Sequence, residues 1–89
     1  MKHIYCDLHM FDMTQSIFVV DDTTGEKEHI TMVKMDELPE IISAICATEN
    51  LNKVVLTGNS VFGAAVAEDI CHYSKHNYNK NNIEVEVLK

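Results

Sequence analysis

The amino-acid sequence predicts one α/β domain, built from a five-stranded mixed sheet and two helices. Its 89 residues leave room for one modest core. Two stretches carry apolar residues at helical spacing, and five shorter stretches carry β-branched or alternating apolar residues. The second helical stretch follows an apolar strand and precedes a returning strand, as in a βαβ unit. Together these observations favour a layered fold with both parallel and antiparallel strand pairs.

The first part of the chain predicts an antiparallel meander. Its first strand alternates, with Ile4, Cys6 and Leu8 on one side. Its second strand is rich in β-branched and aromatic residues, which favour strands. A polar turn at residues 21–26 follows, and Gly25 in that turn accepts a positive φ. The three predicted strands span residues 4–8, 16–20 and 29–35.

The first helix is predicted to begin after Asp36, whose carboxylate can cap a helix N-terminus. Pro39 then falls within the first turn, where proline is tolerated. Residues 50–52 are expected to end the helix. The apolar stripe of this helix consists of Leu38, Ile41, Ile42 and Ile45.

The second helix follows a buried strand at residues 53–56 and a turn in which Asn59 or Ser60 can cap the helix. Small residues predict that this helix is thin and lies close to the sheet. The predicted contact positions are Phe62, Ala65, Val66, Ile70 and Tyr73, and the small residues are Gly63, Ala64, Ala65 and Ala67. An asparagine-rich loop at residues 77–82 precedes a half-exposed edge strand at residues 83–88.

Composition limits the classes of function. Seven basic and fourteen acidic residues give a formal charge of −7, which disfavours nonspecific binding to nucleic acid. Cys6, Cys46 and Cys71 are widely spaced and form no CxxC pair, so they predict buried thiols in a reducing compartment, the cytoplasm. No apolar run reaches membrane-spanning length, and the N-terminal residues are not typical of a signal peptide.

Three sequence segments resemble the ribonuclease H-like fold, which is shared by RuvC-type resolvases and by each half of actin and Hsp70 ATPases. The predicted order β-β-β-α-β-α-β is the order of that fold. The segment IYCDL at 4–8, followed by SIFVVDD at 16–22, is similar to the first hairpin of the actin-like ATPases. The segment VVLTGNS at 54–60 is similar to their later strand-turn-helix. The resemblance implies the sheet order 3-2-1-4-5, with the second strand antiparallel to the others.

This sequence departs from the functional motifs of both branches of the fold. The ATPases place glycine where His9 stands here, and only Gly58 remains of their second glycine pair, followed by Asn59. The nucleases hold divalent metal between three acids. Asp7 matches the first of these, whereas the strand at residues 53–56 offers no acid. Glu68 and Asp69 lie on the last predicted helix, a turn or more beyond its start.

Several side chains admit both a functional and a purely structural interpretation. Asp7 and His9 share a strand face and can bind metal together, but two ligands leave a site incomplete. His72 and His76 stand four residues apart on one helix face. They suit either a two-histidine metal clip or a solvated helix end, and the HExxH pattern is absent. Ser60 lacks a GxSxG context, so capping is favoured over nucleophilic catalysis.

These observations predict a noncatalytic binding or regulatory module that acts through protein–protein contacts or self-association, with no cofactor and no bound metal. Both helices on one sheet face would leave the other face uncovered, which favours a homo-oligomer or a protein partner. The apolar segment at residues 10–13 either folds onto the core or contacts a partner. The predicted binding residues are Asp7, His9, Gly58, Asn59 and Ser60. The alternatives are a metal-dependent nuclease built around Asp7, Glu68 and Asp69, and a nucleotide-binding half-domain that retains Gly58.

Overall fold

Five strands and two helices form the fold in the computed structural model, which describes residues 1–9, 11 and 13–88. A single 3₁₀ turn, Met35–Glu37, precedes the first helix. The elements are β1 (Lys2–Asp7), β2 (Thr14–Asp21), β3 (Lys27–Lys34), α1 (Leu38–Glu49), β4 (Lys53–Thr57), α2 (Ser60–Tyr78) and β5 (Glu84–Val87).

The five strands make one mixed sheet in the order β3-β2-β1-β4-β5. Strand β2 runs antiparallel to both of its neighbours, whereas β4 is parallel to β1 and to β5. The predicted order and strand directions are therefore confirmed, and this topology is that of the ribonuclease H-like fold. Helices α1 and α2 contact each other and share one core with the sheet, so they lie on the same face, as the right-handed crossover rule predicts.

The core lies between that face and the two helices. Alternation along β1 and β4 turns Ile4, Cys6, Val54 and Leu56 inward, where all four are fully buried. The helices are joined to each other by Ser43, whose buried hydroxyl contacts the Pro39 carbonyl oxygen at 2.8 Å and the Ile70 carbonyl oxygen at 3.1 Å. The buried helix side chains that complete the core are Leu38, Ile42, Cys46, Val66 and Ile70.

The β2–β3 hairpin differs from its prediction in length and contains an irregularity in its register. Both strands begin earlier than predicted, because the ladder pairs polar residues as well as apolar ones. A β-bulge between Ile17 and Phe18 shifts the register, so that Ile17 pairs with Thr31 and Phe18 pairs with His29. The predicted tight turn is confirmed, with Gly25 at φ +76°.

The start of α1 differs from the predicted start, whereas the end of the helix agrees with the prediction. Asp36 does not cap the helix, because residues 35–37 form the 3₁₀ turn and Glu37 occupies the N-cap position without a side-chain cap. Pro39 lies in the first turn, as predicted. Asn50 ends the helix in the left-handed conformation at φ +55°, and the Leu51 amide donates to the Cys46 carbonyl at 2.9 Å.

The buried side of α2 is rotated from the predicted one. Ala65 is exposed, so its assignment to the sheet contact is wrong. Gly63 lies at the contact instead, on the same helix line as Val66 and Ile70. A Cβ at Gly63 would stand 2.7 Å from Val87 Cγ1, so the close approach of α2 to the sheet depends on this glycine.

The opposite side of the sheet is not covered by either helix. We call it the open face, defined by Tyr5, Phe18 and Val55 at the centres of β1, β2 and β4. These three residues lie side by side, because Tyr5 pairs with both Phe18 and Val55. No helix among the described residues is both long enough and apolar enough to cross a membrane.

Candidate functional site

The carboxyl ends of β1 and β4 bring Asp7 beside the start of α2. Asp7 and Thr57 are the last paired residues of the two parallel strands, and the Leu8 amide extends the ladder to the Thr57 carbonyl at 2.8 Å. The Thr57 hydroxyl donates to Asp7 Oδ1 at 3.0 Å. Tyr5 Oη lies 3.2 Å from Thr57 Oγ1, and it donates because the Thr57 proton is already used. Asp7 thereby positions Tyr5 on the open face through Thr57.

Gly58 closes the turn directly against this carboxylate. Its φ is +94°, a conformation that other residues rarely adopt. A Cβ at this position would stand 2.6 Å from Asp7 Oδ1 and 2.5 Å from the Leu8 carbonyl oxygen. Glycine is therefore required here both for its backbone conformation and for the space that it leaves to Asp7.

The next two residues start α2, and only one of them caps it. The Asn59 side-chain oxygen accepts from the Phe62 amide at 2.8 Å, which confirms Asn59 as the cap. Ser60 is the first residue of the helix and is exposed. The predicted binding residues Gly58, Asn59 and Ser60 thus form one turn beside Asp7.

His9 completes the cluster, and the Gln15 side chain holds its backbone in a clamp that the sequence did not predict. The Gln15 side chain accepts from the His9 amide and donates to the His9 carbonyl, both at 2.8 Å. Gln15 is only 1% exposed, so the clamp is buried. It holds His9 where Nε2 reaches Asp7 Oδ2 at 3.2 Å. Both carboxylate oxygens of Asp7 therefore contact side chains of the chain itself.

Aromatic and cationic side chains continue from this cluster across the open face. The Tyr5 and Phe18 rings meet edge to face, with their centroids 6.4 Å apart, and the His29 ring lies 5.3 Å from Phe18. Lys27 Nζ lies 4.4 Å from the centroid of the Tyr5 ring. A depression of about 560 Å³ is lined by Tyr5, Phe18 and Lys27 and by neighbouring residues that include Asp7, His9, Met13 and Met32.

Two residues of the apolar segment at 10–13 are described, and Met13 is one of those that line this depression. Met10 and Asp12 lie outside the described residues. Phe11 is fully exposed and Met13 is 86% exposed. Of the two interpretations of this segment, a contact to a partner therefore suits Phe11 and Met13 better than packing on the core.

The three acids of the nuclease alternative are not brought together. Glu68 and Asp69 follow the Asn59 cap by nine and ten residues, which places them about 13–15 Å along the helix from its start. Both are exposed, and Asp69 lines a shallow groove beside Asp36 instead. Within residues 1–9, 11 and 13–88, no three His, Cys, Asp or Glu side chains cluster so that they could hold a metal ion.

Burial keeps two of the three thiols out of any reactive site. It raises the pKa of Cys6 to about 12, with a smaller contribution from Asp7, and it raises the pKa of Cys46 to about 11. Both residues are fully buried, whereas Cys71 is exposed, so the predicted burial of Cys71 is wrong. Cys6 and Cys46 are therefore neutral core residues, as the sequence predicts.

Comparison with known proteins found no matching protein-family model and no matching curated protein. A solved Holliday junction resolvase of fowlpox virus is 23% identical, with a TM-score of 0.40, over 98% of this chain and 60% of that one. A Ppx/GppA phosphatase of Aquifex aeolicus is 12% identical, with a TM-score of 0.42, over 98% of this chain and 35% of that one. The chain thus spans less than two thirds of either protein, and its ribonuclease H-like fold is defined by its own strand order and strand directions.

Proposed function

We propose that this chain is a noncatalytic binding module that acts through its open face, most simply by pairing with a second copy of itself. The observation that carries the proposal is the distribution of side chains on that face. Its centre is aromatic and aliphatic, one edge carries lysines, and the other edge carries glutamates. Such a face can complement itself in a symmetric dimer.

The centre of the face supplies apolar surface. Tyr5, Phe18 and Val55 form one row across the three central strands; Tyr5 and Phe18 are partly exposed, whereas Val55 is 7% exposed and adds little area. Met32 adds to this surface from β3 and is 57% exposed. Covering a row of this kind removes apolar area from water, which is the main driving force for association. Asp7 contributes indirectly, because its bond to Thr57 helps to hold the Tyr5 hydroxyl.

The two edges of the face carry opposite charge. Lys27 and Lys34 lie on β3, with Lys27 Nζ over the Tyr5 ring, whereas Glu84 and Glu86 lie on β5. Lys53 of β4 neutralises part of the acidic edge, because its Nζ lies 3.9 Å from Glu86 Oε2. Four strand spacings separate these edges, which is about 19 Å. The chain as a whole is strongly acidic, so the lysines of β3 stand out as a local basic edge.

This charge distribution favours one symmetry. A two-fold axis parallel to the strands would place the β3 edge of one copy over the β5 edge of the other. An axis perpendicular to the strands would instead place like charges together. The favoured arrangement stacks two sheets with nearly aligned strands, at the usual separation of about 10 Å.

The pairing register then identifies the facing charges. Lys27 pairs with Val20, which pairs with His3. Lys53 pairs with Glu84 on the other side of the sheet, and the pairing of β1 with β4 brings His3 level with Lys53. Lys27 and Glu84 are thus at opposite ends of one row. In the proposed dimer, Lys27 of each copy faces Glu84 of the other.

The size of the face sets the expected affinity. Five strands of about six residues present a flat area of roughly 24 × 20 Å, which is at the low end for a specific interface. We therefore expect a dissociation constant in the micromolar range. The acidic net charge opposes association at long range, and this repulsion is screened at physiological salt.

Sedimentation equilibrium at 150 mM salt tests the proposal over a concentration range that brackets about 1–100 μM. The wild-type mass is expected to rise toward twice the chain mass. Met32→Asp should prevent the rise, because it places a charge on apolar surface that the dimer would cover. Val61→Asp is the matched control, because Val61 is 83% exposed on the first turn of α2, away from the open face.

A monomeric wild-type protein at the highest concentration would contradict self-association. Equal effects of Met32→Asp and Val61→Asp would contradict the open face as the interface. We also propose a cytoplasmic location, which the free thiols of Cys6, Cys46 and Cys71 support.

A further inference from the structure

The last turns of α2 carry two histidines whose rings lie against each other. His72 and His76 are both exposed, and their ring centroids are 4.3 Å apart, with the ring planes tilted by 43°. The only other contact described for either ring is an edge contact between His72 and Tyr73. Among the described residues, no hydrogen bond occupies a nitrogen of either imidazole.

Two imidazoles in this arrangement can act as a chelate. Residues four apart on a helix are neighbours on its surface, and a neutral imidazole offers one nitrogen to a metal ion at about 2.0–2.1 Å. Ring centroids this close need only side-chain rotation to direct both nitrogens at one ion. Because both side chains are exposed, that rotation disturbs no core packing.

The electrostatic environment also suits a cation. His76 lies in the last turn of a 19-residue helix, where the exposed carbonyl ends carry partial negative charge. Lys75 is the nearest lysine in sequence, but it lines a separate depression with Cys71 and Lys80.

We propose that His72 and His76 form a two-histidine clip for a divalent transition-metal ion of the kind that imidazole prefers, such as Zn²⁺. No third protein ligand joins them within the part of the chain that the structure describes. Water completes the coordination of the ion. The site is distinct from the Asp7 cluster and independent of the open face, so its test does not depend on the proposed dimer.

Titration of the protein with ZnCl₂ at pH 7.5, followed by the NMR signals of the imidazole ring protons, tests the clip. A Cys71→Ser background removes the exposed thiol, which would otherwise compete for zinc. The signals of His72 and His76 are expected to shift together and to saturate at one ion per chain. His29 is the internal reference, because it lies on β3 and should not respond.

A spacing variant provides the matched control. His76→Asn combined with Asn77→His preserves the composition but moves the second imidazole to a different side of the helix. Both residues are exposed, so the fold should persist, as far-ultraviolet circular dichroism would verify. The paired shifts should disappear at the zinc concentration that half-saturates the parent protein. Unchanged shifts in this variant, or no response of the pair in the parent protein, would overturn the proposal.

Discussion

Gly58 is the residue on which the geometry around Asp7 depends most strongly, and Gly58→Ala tests that geometry. The added methyl group would stand 2.5 Å from the Leu8 carbonyl oxygen and 2.6 Å from Asp7 Oδ1. The Leu8 backbone cannot easily move, because its amide donates to Thr57. The next residue is clamped by Gln15. The variant must therefore either distort the turn or separate the ends of β1 and β4.

Two costs and one smaller gain determine the expected loss of stability. A positive φ costs a residue with a Cβ about 1–2 kcal/mol, and overpacking against fixed atoms costs about 1–3 kcal/mol. Reduced freedom of the unfolded chain returns about 0.4–1 kcal/mol. We therefore expect Gly58→Ala to lower the free energy of unfolding by about 3 kcal/mol.

Gly25→Ala is the matched control, because it measures only the cost of a positive φ for a residue with a Cβ. Gly25 also has a positive φ, at +76°, but a Cβ there would meet no atom within 4 Å. Its expected loss is about 1 kcal/mol, because only the conformational part applies.

Urea denaturation followed by circular dichroism measures both losses. The free energy of unfolding should fall by about 1 kcal/mol per molar urea, so the midpoints of the two variants should differ by about 2 M urea. Failure of Gly58→Ala to fold in water would agree with the larger cost. Equal losses in the two variants would refute the close contact between Gly58, Leu8 and Asp7.

Three further predictions follow from the fold and the site. Ala65→Leu should change the free energy of unfolding by less than about 0.5 kcal/mol, because the side chain is exposed; a larger loss in urea denaturation would restore Ala65 to the sheet contact. At pH 8 a thiol reagent should label only Cys71 in the folded protein, and it should label Cys6 and Cys46 after unfolding. Rapid labelling of all three thiols in the folded protein would contradict this burial. Burial raises the pKa of Cys6 from 9.0 to about 12 and that of Cys46 from 9.0 to about 11. The contribution of these two thiols to the free energy of unfolding should therefore be complete below pH 9.0 and should be lost as the pH rises toward those values. Finally, the protein should not cleave DNA, RNA or branched junctions in Mg²⁺ or Mn²⁺ above a mock preparation, and cleavage that Asp7→Asn abolishes would establish Asp7 as a catalytic residue.

The sheet order could be predicted because several local signals agree. Alternation in residues 4–8 separates a core side from an open side, and the βαβ pattern around α2 fixes a right-handed parallel connection. Helix ends were predictable where one residue type has a specific backbone preference. Asn50 and Asn59 are of this kind, because asparagine accepts the left-handed conformation and also caps helix N-termini.

Predictions failed where the outcome depends on tertiary contacts. Asp36 satisfies the capping preference, yet the chain forms a 3₁₀ turn there. The buried side of α2 differs from the predicted side because alanine is compatible with either side of a helix. The sequence therefore did not distinguish Ala65 from Gly63 as the residue that faces the sheet. The bulge beside Phe18 left no signal in the sequence, since both strands keep β-branched and aromatic residues through it.

The candidate site was predictable in its positions but not in its contacts. The end of β1 and the turn after β4 were recognisable from Asp7 and Gly58. The bond between Asp7 and Thr57 joins residues 50 positions apart, and it requires the register of a parallel pair. The position of Lys27 over the Tyr5 ring likewise depends on two strand pairings.

Charge reversal across the open face tests the central claim most directly. Lys27→Glu and Glu84→Lys should each weaken self-association, because each places like charges opposite one another in the proposed dimer. The double variant restores opposite charges, and sedimentation at 150 mM salt should show that it regains the dimer. Two results would contradict the proposed pairing of the two open faces. One is that neither single variant weakens dimerisation, and the other is that the double variant does not regain it.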